Sequence, residues 1–297
     1  MIFINYYDEI KNELVNNEIT KKVKDYSKNR SDLNTYYNVG KLLSEAGKHY
    51  GEGIIKEYSK RLTNEFGTKF GITLLKRIRQ FYIVIEKGAT MSHQLSWSHY
   101  CELLPVNSID KINYYIKITK EQNLSIRELR TKIKNNEYER LDESTKEKLK
   151  EKEELKVPDL VKNPIQIKNT SGNNEISEKV LQKLILEDIP SFLDELGNGF
   201  TFVRNEYKIK IGDRYNYIDL LLFNYEFNCF VAVELKVSEL KKEHIGQIEF
   251  YMNYIDKNLK NINQNKTIGI IICKKENRYV IEYCSDDRIL AREYELI

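Results

Sequence analysis

The sequence predicts a two-part chain: a mostly α-helical N-terminal half and an α/β C-terminal half with a mixed sheet flanked by helices. Three observations predict this. Apolar residues in the first half recur at three- and four-residue spacing, the repeat of a one-sided helix. In the second half they cluster in short β-branched and aromatic runs, the mark of strands. Between the halves, ERLDESTKEKLKEKEELK is nearly all charged, and Pro158 and Pro164 follow it. Such a segment buries little and ends the helical pattern. The boundary is therefore expected near residue 157, with residues 1–157 forming the helical domain, its charged linker spanning about 139–157, and residues 158–297 the α/β domain. A length of 297 residues suits two domains with separate cores.

In chain order, TYYNVGKLLSEAG, IIKEYSKRLTNEFG and LLKRIRQFYIVIEKG each read as a striped helix closed by a glycine. Two more helices are expected at SIDKINYYIKITKEQN and SIRELRTKIKNNEYERL. The second opens with Ser125 three residues before Glu128, the spacing at which each side chain satisfies a free amide at the helix start. The second half begins with a helix from about Glu175 to Leu196, its stripe running from Val180 and Leu181 to Phe192 and Leu196. The runs FTFV, YKIKI, YNYIDLLLF and FNCFVAVELKV read as strands, Lys241 to Asp256 as a helix, and TIGIIICK and RYVIEYC as closing strands.

Composition narrows the function classes. No stretch approaches the length of a membrane span, and the N-terminal residues carry acids where a secretory signal has bases, so a cytoplasmic location is expected. Cys101, Cys229, Cys273 and Cys284 form no CxxC pair and read as reduced residues rather than a disulfide or zinc framework. The net charge of +3 divides unevenly: residues 1–157 carry +6 and residues 158–297 carry −3. A basic half beside a slightly acidic one suits a nucleic-acid-binding domain joined to a metal-binding one.

Chemistry concentrates where charges interrupt apolar strands. In YIDLLLF, Asp219 precedes four apolar residues; in FVAVELKV, Glu234 and Lys236 lie two apart and so share a strand face. Carboxylates are rarely buried unless paired or bound to metal. One reading is a structural salt bridge between Glu234 and Lys236, with Asp219 at a strand end. The other is that Asp219 and Glu234 converge on a hard cation such as Mg²⁺ or Mn²⁺ while Lys236 positions an attacking water.

An apolar residue and Asp on one strand, about fifteen residues, then Glu-x-Lys on the next resembles the core of PD-(D/E)XK nucleases, with Asp219, Glu234 and Lys236 in the motif positions. FLDELGNGFTFV, YIDLLLFNYEFNCFVAVELK and GQIEFYMNYID resemble the C-terminal domain of YhcG-like proteins, and RIRQFY, LSWSHYCELL and SIRELRTKI their winged-helix-like N-terminal domain. The likeness runs from about Tyr36 to Tyr294. It implies a restriction-endonuclease-like sheet, hydrolysis of phosphodiester bonds, most naturally in DNA, with Mg²⁺ or Mn²⁺, and an N-terminal domain that binds DNA or a partner. Asp219, Glu234 and the backbone carbonyl of Leu235 would hold the metal. Restriction, phage defence, mobile-element maintenance or repair would suit such a protein, and a homodimer would let paired sites cut both strands. The alternative is a DNA-binding or assembly protein that keeps the nuclease fold and cuts nothing.

The same resemblance gives Gln247 and Tyr251 meaning, since their Q-x-x-x-Y pattern is similar to an extra motif of RecB-type members. Their four-residue spacing puts them on one helix face, and without the resemblance they read as an ordinary amphipathic helix. Members usually place an acid on the first helix of the nuclease domain, and Gln182 stands at that aligned position. Glu178 is the first candidate to replace it and Glu187 the second, against the reading that both are solvated helix charges. Among other residues, His244 reads as a surface histidine within reach of substrate. Trp97 reads as a core anchor or an aromatic contact to DNA, and Lys76, Arg77 and Arg79 as a solvated basic face or a phosphate contact.

Overall fold

The computed structural model describes residues 6–23, 28–51, 53–170, 172, 176–284 and 286–297, in two compact units, 1–138 and 139–297. The first unit contains α1 (Tyr6–Val23), α2 (Lys28–Tyr50), α3 (Ile54–Phe66), a 3₁₀ turn (Thr68–Phe70), α4 (Ile72–Glu86), α5 (Trp97–Leu103), α6 (Ile109–Glu121) and α7 (Ile126–Lys134). Ile10, Val39, Leu43, Leu62, Leu75 and Ile78 meet in one core. No strand occurs among the described residues of this unit, so the wing implied by the resemblance has no counterpart among them; the apolar spacing there is helical throughout.

Glycine ends α3 as expected, with Gly67 at φ +78. It does not end α2, which runs through Gly40 and Gly47 to stop before Gly51, at φ +80. A side chain at Gly40 would come within 2.5 Å of the carbonyl oxygen of Ile78, so this glycine lets α2 approach α4 rather than terminating a helix. The capping box of α7 forms: Ser125 N–H donates to Glu128 Oε2 at 2.7 Å, and Glu128 N–H to Ser125 Oγ at 3.3 Å.

The charged segment expected to be a linker over 139–157 is packed with the second unit. It forms α8 (Glu143–Glu151) and leads into α9 (Val157–Leu160). Its charges find partners there: Asp142 accepts from Arg292 at 2.8 Å and Lys148 donates to Asp159 at 2.7 Å. Dense charge reads as solvated in sequence, but pairing lets one side of it pack.

The second unit is built on a six-stranded sheet in the order β1-β6-β5-β4-β3-β2. The strands are β1 (Ile165–Ile167), β2 (Phe200–Ile211), β3 (Arg214–Asn224), β4 (Cys229–Leu235), β5 (Asn265–Cys273) and β6 (Ile289–Leu296). β2/β3 and β3/β4 pair antiparallel; β4/β5, β5/β6 and β1/β6 pair parallel. One face packs on α10 (Glu178–Glu187) and α11 (Ile189–Leu196) through Leu181, Leu184, Ile185 and Phe192. The other packs on α12 (Lys242–Asn258) through Ile248, Met252 and Ile255. Coverage of both faces explains why β4 and β5 are almost continuously apolar.

Three expectations differ. The helix placed over Glu175–Leu196 is two helices, with Glu175 outside the described residues. Asp188 leaves helical geometry and its side chain accepts from Ser191 N–H at 3.2 Å, and Pro190 has no N–H to continue the ladder. The runs FTFV and YKIKI form one strand, β2, irregular between Phe202 and Arg204. RYVIEYC is no strand: its residues 278–282 form α13 (Arg278–Glu282), capped by Asn277, and the sheet position goes to ILAREYEL as β6. A short apolar run fits either element, and the cap decides.

Candidate active site

Glu234 lies at the end of β4, in alternation with Ala232 of the α12-side core, and Lys236 just beyond it, both buried. Lys236 Nζ donates to Glu234 Oε1 at 2.7 Å and lies 3.7 Å from Glu178 Oε2 on the first turn of α10. Asp219, on β3, accepts from Leu235 N–H through Oδ2 at 2.8 Å. Neighbouring β3 and β4 thus bring both motif carboxylates together, and α10 adds Glu178. Glu187 is placed elsewhere, accepting from Thr170 Oγ1 at 2.8 Å.

The β2–β3 ladder breaks at the level of Asp219. Asn205 pairs with Leu220 and Tyr207 with Ile218, leaving Glu206 and Asp219 between them unpaired, with Glu206 at φ +45. The faces invert here too: Leu220 and Leu222 join the α10 side, whereas Ile218 and Leu221 join the α12 side. A non-glycine residue with positive φ inside a strand is a sparsely populated geometry that the surrounding structure must impose. Gln182, buried on α10, donates to the carbonyl oxygen of Asp219 at 3.1 Å. The residue that departs from the family pattern therefore holds the backbone of the motif aspartate, a bond that needs a donor and that an ionised glutamate could not make.

Electrostatics single out the same group. Burial, then the charge of Asp219, pushes Glu234 up to about 7 against the pull of Lys236. Burial also raises Asp219, opposed by the Leu235 N–H and by Lys236. For Lys236, burial disfavours the charge, but the Glu234 hydrogen bond and the fields of Glu234, Glu178 and Asp219 outweigh it, so its pKa lies above the usual value. The site carries more negative than positive charge in a low-dielectric setting.

Glu234 Oε2 is buried and makes no hydrogen bond. An unsatisfied buried carboxylate oxygen costs on the order of 1–3 kcal/mol or more, and a cation would remove that cost. Within a strand, N–H and C=O of one residue point to the same edge. Leu235 N–H meets Asp219, so its carbonyl also points toward β3. No group of three or more His, Cys, Asp or Glu side chains poised for a metal occurs among the described residues. The donors these residues could offer are thus two carboxylates and one carbonyl. Such all-oxygen donors suit a hard divalent cation better than zinc.

On α12, Gln247 Nε2 donates to Tyr251 Oη at 3.0 Å. Tyr251 is nearly buried, and burial raises its pKa, as do the charges of Glu234 and Asp219 against the Gln247 bond. The pair combines both readings of its helix face: Tyr251 packs in the core, and its hydroxyl lies in the field of the site. His244 Nδ1 accepts from Lys241 N–H at 3.2 Å; burial, then Lys236 and Lys241, lowers its pKa.

In the first unit, Trp97 packs 4.6 Å from Tyr36 and 5.6 Å from Phe81 between ring centroids, which favours the core anchor. Lys76 and Arg77 are exposed, while Arg79 is half-buried beside Gly47. Glu206 was invisible to sequence reasoning, because nothing in EYKIKI announces a left-handed residue opposite Asp219. The use of Gln182 as a donor was equally hidden, since only the broken ladder shows which carbonyl needs one.

Comparison with known proteins identifies the domains of the chain. Residues 158–297 match the YhcG PDDEXK nuclease domain and residues 9–140 the DUF1016 N-terminal domain. "Putative nuclease YhcG" of Escherichia coli (strain K12) is 26% identical over 309 residues, covering 88% of this chain and 82% of that protein. Among solved structures, a repair endonuclease from Pyrococcus abyssi gives a TM-score of 0.29 at 17% identity. An EndoMS complex with dsDNA gives 0.32 at 18%. Each match covers 43% of this chain, which spans about half (49%) of each of those chains. No helix among the described residues is long and apolar enough to cross a membrane. With a DUF1016 N-terminal domain followed by a PDDEXK nuclease domain, the chain belongs to the YhcG-like family.

Proposed function

We propose that this protein is a divalent-metal-dependent nuclease that hydrolyses phosphodiester bonds in DNA. The observation that carries the reading is Glu234 Oε2, buried and unsatisfied in the field of Asp219, whose carboxylate accepts from Leu235 N–H. Asp219, Glu234 and that carbonyl would hold Mg²⁺ or Mn²⁺, which when bound lowers the pKa of a water and neutralises charge developing on the phosphodiester. Lys236 holds a proton at Nζ and orients the attacking water. In the structure Lys236 donates to Glu234 at 2.7 Å, and a carboxylate shared with a bound cation would hold that ammonium less tightly. Glu178 keeps the ammonium oriented from the α10 side, and Gln247 sets the direction of the Tyr251 hydroxyl. Gln182 fixes Asp219 through its backbone. The helical first unit would bind DNA or a partner, in keeping with the +6 net charge of residues 1–157.

The Gln182 departure does not favour the non-cutting alternative, because this side chain has a structural task at the site. The test is incubation of full-length protein with linear, supercoiled and single-stranded DNA and Mg²⁺, Mn²⁺ or EDTA, beside Asp219→Ala and Lys236→Ala. Metal-dependent cleavage lost in both variants is the expected result. DNA binding without cleavage in every condition would transfer the reading to a non-catalytic binding protein.

A further inference from the structure

Beyond the broken ladder at Glu206 and Asp219, the β2–β3 hairpin continues to its turn at Gly212 and Asp213, at the free edge of the sheet. On one of its faces Ile209 and Ile218 are buried in the α12-side core. On the other, Lys208 stands directly opposite Tyr217 and Lys210 opposite Tyr215. All four are exposed, the two tyrosines by 52% (Tyr215) and 50% (Tyr217). Lys208 Nζ lies 3.7 Å from the centroid of the Tyr215 ring, so a cation and an aromatic face are presented together. Because the strand faces invert at Asp219, this face opens on the α10 side, where Glu178 and Gln182 reach the site.

We infer that this hairpin face is a binding arm for unpaired nucleotides of the substrate next to the scissile phosphate. The inference rests on the nuclease reading of the adjacent site. Lysines complement a phosphate backbone, and exposed tyrosine rings offer stacking platforms to bases. A duplex offers phosphates but keeps its base faces stacked on one another, so a ladder alternating Lys and Tyr is matched to a single strand, a flap or a frayed end. Tyr217 is two residues from Asp219, so a base stacked there belongs to a nucleotide close to the bond that is cut. The exposed rings have no role in the core of the unit, which lies on the opposite face of the hairpin.

The test uses full-length protein in EDTA and fluorescence anisotropy with a labelled oligothymidine strand and a labelled blunt duplex. Tyr215→Leu with Tyr217→Leu should weaken single-strand binding about 5- to 100-fold and leave duplex binding unchanged, while the Phe pair keeps wild-type affinity. Lys208→Gln with Lys210→Gln should weaken binding and flatten its salt dependence, and it keeps the question answerable if the Leu pair does not fold. Wild-type affinity in the Leu pair, equal loss on duplex and strand, an unaltered salt slope in the Gln pair, or no binding by the parent protein would each overturn the arm. Cleavage with Mg²⁺ or Mn²⁺ is followed in parallel. Ring-dependent binding without cleavage rejects the nuclease reading alone, and cleavage with ring-independent binding rejects the arm alone.

Discussion

The sheet of the second unit buries charge in two places, and the two are solved differently. Near β1 and β6, Arg292 donates to the carbonyls of Val161, Ala291 and Pro158 at 2.9–3.2 Å and to Asp142 at 2.8 Å. Arg140 likewise donates to Glu195 and to the carbonyl of Pro164, and Glu195 accepts from Gln166 N–H at 3.0 Å. At the ends of β3 and β4, Glu234 and the α10 residue Glu178 share Lys236, one Glu234 oxygen has no partner, and the nearest strand ladder is interrupted. A saturated buried charge is explained by the fold. An unsaturated one asks for something the fold does not contain, and that difference, more than burial itself, marks the functional end of the sheet.

The sharpest way to break this comparison is to remove one charge from each place. Asp219→Ala should lower metal-dependent cleavage by on the order of 10³-fold or more, with the melting temperature held or raised in EDTA, since a crowded carboxylate is gone. Arg292→Ala should do the reverse: a loss of about 3–5 kcal/mol in urea unfolding, because Asp142 and three carbonyls lose a donor, and unchanged turnover per folded molecule. If Asp219→Ala unfolds the unit and Arg292→Ala abolishes turnover of folded protein, the assignment of the two ends is inverted.

A pH test sharpens the comparison. Glu234 is held at about 7 in the folded protein against an ordinary 4.5. Between those values the folded state keeps a proton that the unfolded chain has released, so stability falls as pH rises through this window and stays lower above it. Glu234→Gln removes the titration and leaves Lys236 an acceptor. In EDTA the variant should melt a few degrees above the parent at pH 8, and close to it at pH 4. Added Mg²⁺ should stabilise the parent increasingly from pH 6 to pH 8, as binding displaces the Glu234 proton, and leave the variant unmoved. A parent whose Mg²⁺ response is flat with pH would remove Glu234 from the metal site.

How much of this was legible depends on the range of the interaction. Period-2 and period-3.6 patterns report burial of a face, so α3, α4, α7, β3, β4 and β5 could be read directly, and the three charges Asp219, Glu234 and Lys236 in two apolar strands stood out, with a salt bridge and a metal site as the two readings of them. Interactions that need a distant partner could not. Gly40 looks like a stop signal until α4 is placed against it, and the 139–156 charges look solvated until Arg292 is seen to meet Asp142. The choice between Glu178 and Glu187 needed the direction of the α10 axis, which turns the first toward Lys236 and the second toward Thr170.

The smallest expected effect tests the part of the site that sequence patterns misjudged. Gln182→Met keeps the volume and helix propensity of the side chain and removes only the donor to the Asp219 carbonyl. A neutral hydrogen bond of this kind contributes about 0.5–1.5 kcal/mol, so the unfolding midpoint should drop slightly. Cleavage should fall by about tenfold or less, because Asp219 keeps its carboxylate and its Leu235 bond while its backbone gains freedom at a level where β2 offers no ladder pair. Gln182→Glu separates positioning from charge: it also lacks the donor, and it adds an anion beside Asp219 and Glu234. It should therefore be less stable than Gln182→Met in EDTA and recover with Mg²⁺. If Gln182→Met instead loses cleavage as completely as Asp219→Ala at unchanged stability, the amide acts on the substrate or metal directly, and the family acid at this position has been replaced in function as well as in place.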